Sequence, residues 1–164
     1  MRLVFTKGAG KFDRMTIVRP GRPPEQADCP KQGIIPHDMV HYAVEHTLAV
    51  RGFLARVGEG EAASFGMQGE PCSDAVERLV EVFQGDQWSG GDAPATDLID
   101  LYRVTCHARS CPMLDIDAAA IDAVRCALAE LTARWAAVPV GGHLEVGFAQ
   151  AFGEPERKMA QNFF

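Results

Sequence analysis

Apolar residues recur at two different periods along the chain, and the change of period marks its elements. Leu3 and Phe5 alternate, as do Met15 and Ile17, which predicts strands over residues 2–6 and 12–19 joined by the Lys7-Gly8-Ala9-Gly10-Lys11 turn. Residues 20–33, with Pro20, Gly21, Pro23, Pro24, Pro30 and Gly33, carry neither period and read as a long loop. A helical period then sets in. Met39, Val40, Ala43, Val44, Thr47 and Val50 form one face of a helix predicted over 36–51, with Pro36 in its first turn and Gly52 at its end.

Residues 53–71 are glycine-rich and read as irregular, with an apolar patch at Phe65-Gly66-Met67. A second helix fits 73–84, with Ser73 as N-cap and Val76, Leu79, Val80 and Phe83 on its core face. The following loop, 85–91, offers Trp88 as a side chain that could cover a pocket mouth. A third helix covers 95–109, with Leu98, Leu101, Tyr102 and Thr105 on one face. The longest helix, 117–137, is capped by Asp115 or Asp117 and carries a heptad-like seam of Ile121, Val124, Leu128, Leu131, Trp135 and Val138. Glu130 and Arg134 add an i,i+4 pair on its outer face. After the Pro139-Val140-Gly141-Gly142 turn, Leu144, Val146 and Phe148 alternate again, a strand placed to join the N-terminal hairpin.

Strands at both ends around a run of helices predict an α+β fold: a small antiparallel sheet packed with about four helices. The expected organisation is one domain over 1–152 with a flexible C-terminal tail at 153–164.

Composition narrows the setting. A net charge of −6 argues against a nucleic-acid or anionic-membrane partner, because phosphate binding needs concentrated Lys and Arg. No stretch reaches the ~20 apolar residues of a membrane span, and the first residues lack the apolar core of a signal peptide, so a cytoplasmic location is expected. Cys29, Cys72, Cys106, Cys111 and Cys126 match no zinc-ribbon or redox CxxC spacing and read as reduced core cysteines. Cys106 and His107 are adjacent on a helix and point about 100° apart, so they do not form a catalytic pair with each other.

Chemistry concentrates at Pro36–His46, which holds three of the five histidines. On a helix, His37, Asp38, His41 and Glu45 share one arc roughly 100° wide, opposite the apolar face. That arc contains no Lys, which suits a cleft lining better than a solvated face. His37-Asp38-Met39-Val40-His41 resembles the H-E-x-x-H helix of zinc metalloproteases, with Asp38 standing where that family has Glu, one methylene longer. The resemblance covers five residues and implies His37 and His41 as zinc ligands and Asp38 as general base.

Glu45 is the other candidate acid or base, and an alternative metal ligand paired with His41. It cannot share an ion with His37, since eight residues of helix span about 12 Å. A metal would need further ligands from a distance, with His107 the first candidate, then His143, Glu61 or Asp100. Two functions follow as expectations. One is a metal- or small-ligand-binding domain, with a divalent metal such as zinc and metal-assisted hydrolysis if it is an enzyme. The other is a non-catalytic interaction protein that forms a homodimer through the 117–137 helix.

Overall fold

A computed structural model describes residues 1–63 and 68–149. The predicted patch at Phe65–Met67 and the predicted tail at 153–164 lie outside the described residues. The fold is α+β: a four-stranded antiparallel sheet and five helices, in the order β1 (Arg2–Thr6), β2 (Phe12–Val18), β3 (Glu25–Pro30), α1 (His37–Leu48), α2 (Phe53–Gly58), α3 (Pro71–Trp88), α4 (Ala95–Ala108), α5 (Ala118–Ala136) and β4 (His143–Gly147).

The sheet order is β3-β2-β1-β4. Alternation places Leu3, Phe5, Met15, Ile17, Leu144 and Val146 on its buried face, and β4 joins β1 with Leu3 opposite Val146. The predicted 20–33 loop contains the fourth strand. β3 was not legible because as an edge strand it buries only Cys29 fully, so its hydrophobic alternation is faint. Pro30 is tolerated there because an edge strand leaves alternate N–H groups unpaired in any case. The other edge, β4, is partly covered. The Arg134 guanidinium donates to the Glu145 carbonyl at 3.3 Å and the Tyr42 hydroxyl to the Gly147 carbonyl at 3.1 Å.

α1 lies at the centre of the helical layer, packed against α2, α3 and α5. It stops earlier than predicted, at Leu48, with Ala49 in the left-handed conformation (φ 50°), and Gly52 instead precedes α2. α2 itself falls in a stretch predicted to be irregular. α3 is longer than predicted at both ends: Pro71 opens it, Glu70 and Ser73 form a reciprocal capping box, and Trp88 is its last helical residue. The Trp88 indole donates to the Gln32 carbonyl at 2.9 Å and remains mostly exposed, so it anchors the loop before α1 rather than covering a pocket.

In α4 the buried face is Leu98, Tyr102 and Cys106, and Leu101 points to solvent, a rotation of the predicted face. Asp117 caps α5 by accepting from the Ala120 N–H at 2.8 Å. The heptad-like seam of Ile121, Val124, Leu128, Leu131 and Trp135 is buried within the chain, where it packs in the same apolar cluster as α1 and α4. The seam thus faces the chain's own core.

Candidate metal centre

Helical spacing alone brings the first two groups together. Pro36, extended at φ −51° and ψ 143°, ends the incoming loop, and its carbonyl accepts the N–H groups of Met39 and Val40. α1 thus starts at His37, and His41 follows one turn later on the same side. Their Nε2 atoms face each other at 3.1 Å.

The third group comes from α3. Packing of α3 on α1 sets Glu77 between the two imidazoles, with Oε2 2.9 Å from His41 Nε2 and Oε1 3.5 Å from His37 Nε2. One ligand atom from each residue lies within 4.8 Å of the others, so the three side chains could hold a metal ion. The two imidazole nitrogens, 3.1 Å apart, suit one. Bonds of about 2.1 Å at angles of 90–110° put neighbouring ligand atoms roughly 3.0–3.4 Å apart.

Behind this set, His41 is held by its other nitrogen. Its Nδ1 lies 3.1 Å from Glu45 Oε1, and both residues are almost completely buried. Glu45 is in turn fixed by three backbone donors, the N–H groups of Gly52 (3.2 Å), Leu54 (3.0 Å) and Ala55 (2.9 Å). All three donors stand at the start of α2, so a carboxylate eight residues upstream of Phe53 does the work of an N-cap. The approach requires Gly52, because a Cβ there would lie 2.6 Å from the Glu45 carboxyl carbon and 2.6 Å from Val76 Cγ1.

The electrostatics follow from this sandwich. Burial works against a charged imidazole at His41, but hydrogen bonds to Glu45 and Glu77 outweigh it and raise its pKa to about 10. Burial likewise works against a charged Glu77, and hydrogen bonds from His37 and His41 overcome it, holding the carboxyl far below the usual carboxylate range. In the metal-free protein a protonated His41 therefore bridges two carboxylates, donating Nδ1–H to Glu45 and Nε2–H to Glu77.

The set opens on a cleft of about 440 Å³ whose walls include Cys29, Asp38, Phe53, Arg56, Ser73 and Asp74. Arg56 is occupied by Glu61 and Glu70, and Arg51 by Glu59 and Glu70, which ties the segment after α2 to the start of α3. A smaller depression of about 300 Å³ at the sheet shares only Asp28 with this cleft.

No protein-family model, curated protein or solved structure matches this chain. Its chemistry has to be read from the geometry.

Of the residues singled out in the sequence, His37 and His41 converge with each other. Asp38 lines the same cleft but turns toward β3, where the Cys29 thiol donates to its Oδ2 at 3.4 Å. Burial and the neighbouring Asp38 push that thiol well above its ordinary value, so Cys29 stays protonated. Glu45 sits on the Nδ1 side of His41, away from the cleft, with both oxygens occupied by other donors. That arrangement orients the imidazole and leaves Glu45 outside the ligand set. The distant candidates do not join the set. His107 and His143 are exposed on α4 and β4, Asp100 pairs with Arg103, and Glu61 pairs with Arg56.

Glu77 was missed because in sequence it is one more polar position in an amphipathic helix. Only the packing of α3 on α1 gives it a role.

Proposed function

We propose that the protein binds a divalent metal ion, zinc first among candidates, through His37, His41 and Glu77, and that the bound metal acts on a small molecule in the adjoining cleft. One observation carries the reading. His41 presents Nε2 to two further donor side chains while a buried carboxylate, itself anchored by three backbone N–H groups, holds Nδ1. Metal-ligating histidines commonly carry such an outer carboxylate, which fixes the tautomer and makes the ring a stronger donor.

Three protein ligands favour a reactive centre over a structural one. A structural zinc is closed by four protein ligands, whereas three leave a position for water or substrate. A divalent ion there would lower the pKa of a bound water toward neutrality and polarise a carbonyl or phosphoryl oxygen, so metal-assisted hydrolysis is the reaction class. Asp38 and Asp74, both on the cleft wall, are the candidate general bases.

The test is elemental analysis of protein purified without a metal-affinity column, followed by zinc titration of the chelator-treated protein. One equivalent is expected in the wild type, with binding weakened at least tenfold in both His41→Ala and Glu77→Gln. Wild-type protein that neither carries nor takes up a divalent ion would overturn the proposal.

A further inference from the structure

The C-terminal end of α4 holds a pair of cysteines that the metal centre does not use. Arg109 ends the helix, and Ser110 adopts the left-handed conformation with φ 51°. The Cys111 N–H then donates to the Cys106 carbonyl at 3.1 Å, and the Ser110 N–H to the His107 carbonyl at 3.1 Å. That pair of bonds is a Schellman closure. It normally brings together the side chains of the residues three before the cap and two after it. Here those residues are Cys106 and Cys111, and the Cys111 side chain is close enough to perturb the Cys106 thiol. The sequence separation of five had hidden the pair, because neither an i,i+4 helical contact nor a CxxC turn joins residues so spaced.

We infer that Cys106 and Cys111 form a redox-active dithiol that a low-molecular-weight disulfide of the glutathione type oxidises to an intramolecular disulfide. The two cysteines are unequally accessible. Cys106 is 2% exposed, buried beneath α4, whereas Cys111 lies on the partly exposed turn. Cys111 is therefore the thiol that meets the reagent. Its thiolate attacks one sulfur of the small disulfide, the S–S bond breaks, and one thiol leaves, with Cys111 now in a mixed disulfide. The Cys106 thiolate then attacks Cys111 Sγ and expels the second thiol. The cysteine pair loses two electrons, the small disulfide gains them, and the two cysteine protons end on the two departing thiols.

The surroundings set the pace of the second step. Burial and the neighbouring Cys111 thiol push the Cys106 thiol up to about 12. Closure of the ring should therefore accelerate about tenfold per pH unit through the neutral and mildly alkaline range, as the thiolate fraction grows. The closed disulfide would staple the helix end beside Tyr102, whose hydroxyl already donates to the Ala75 carbonyl and accepts from the Leu114 N–H.

The experiment equilibrates the full chain with mixtures of reduced and oxidised glutathione, quenches with acid and alkylates the remaining thiols before mass analysis. Arg103, Arg109 and Arg125 are tryptic sites, so the disulfide would join the peptide 104–109 to the peptide 110–125. The expected product is a chain lighter by two hydrogens that carries no glutathione at this pair and yields that joined peptide. Cys106→Ser should instead accumulate a glutathione adduct on Cys111, and Cys111→Ser should form no adduct at Cys106. A folded wild type that keeps both thiols alkylatable at every ratio, or that stops at the Cys111 adduct, would overturn the inference.

Discussion

Replacing Glu45 by Gln tests whether one buried carboxylate both starts α2 and orients His41. The carboxylate accepts four hydrogen bonds, two at each oxygen: His41 Nδ1 and the Leu54 N–H at Oε1, the Gly52 and Ala55 N–H groups at Oε2. Glutamine has almost the same shape but turns one of those oxygens into an NH₂ donor, which must then face two donors. At least one backbone donor loses its acceptor whichever way the amide is placed: Leu54 in one orientation, where His41 Nδ1 can switch to accepting, Gly52 and Ala55 in the other. An orphaned buried donor costs about 1–3 kcal/mol, and breaking a buried charged pair costs about 3–5 kcal/mol in total. Taking about 3–5 kcal/mol for the substitution, a chain of this length should melt roughly 6–20 °C lower. Loss of the outer carboxylate should also weaken metal binding by about 10–100-fold. The assay is a thermal melt of chelator-treated protein alongside zinc titration at a temperature where the variant is folded. Glu145→Gln, an exposed carboxylate on β4, serves as control with a change within about 0.5 kcal/mol. A Glu45→Gln variant that melts within 2 °C (a change of about 1 kcal/mol or less) of the wild type would refute the reasoning, because the four bonds would then contribute almost nothing.

Four further outcomes follow from the structure. The raised His41 pKa gives the metal-free protein stability that is fully present below the unfolded-state value of 6.5 and is lost as pH rises through about 10. Urea midpoints in chelator should therefore fall between those pH values, by at most about 1.4 kcal/mol per unit, and a His41→Asn variant should lose this slope. Zinc affinity should move the other way, rising with pH across the same window as the metal displaces the His41 proton, which competition titration measures. Gly52→Ala should cost about 1–3 kcal/mol by urea denaturation, since the added methyl has only the Glu45 carboxyl and Val76 to press against. Leu128→Ala, in the α5 seam, should cost about 2–5 kcal/mol while leaving the mass by light scattering unchanged, because that side chain packs inside its own chain.

The elements with strong local signals were legible in the sequence. Leu3/Phe5 and Met15/Ile17 gave the hairpin, Asp117 and the Ile121–Trp135 spacing gave α5, and the His37/His41 interval gave two of the three groups of the candidate centre. What stayed hidden depends on contacts between distant segments. α2 is a single turn and a half whose cap is the Glu45 side chain from the preceding helix, so nothing within 53–58 announces it. The left-handed Ala49 ended α1 where helical periodicity would have carried it on to residue 51. β3 is an edge strand that follows Pro23 and Pro24, ends at Pro30 and is almost without an apolar face. Glu77 acquires its meaning only when α3 packs on α1, and the sequence does not show that Glu45 meets the Nδ1 side of His41.

The two ends of the sheet bear on how the protein behaves in concentrated solution. An uncovered strand edge is a template on which a second molecule can extend the sheet, and chains that leave one bare are prone to aggregate. On β4 the carbonyls of Glu145 and Gly147 are already taken by Arg134 and Tyr42, side chains of the two helices that pack together beneath the sheet. On β3, Pro30 brings no donor at all, and the neighbouring Asp28 carries a charge into solvent. Growth by strand addition is thus blocked at one end by occupied acceptors and at the other by a missing donor beside like charge. The fold keeps its short open sheet without closing it into a barrel.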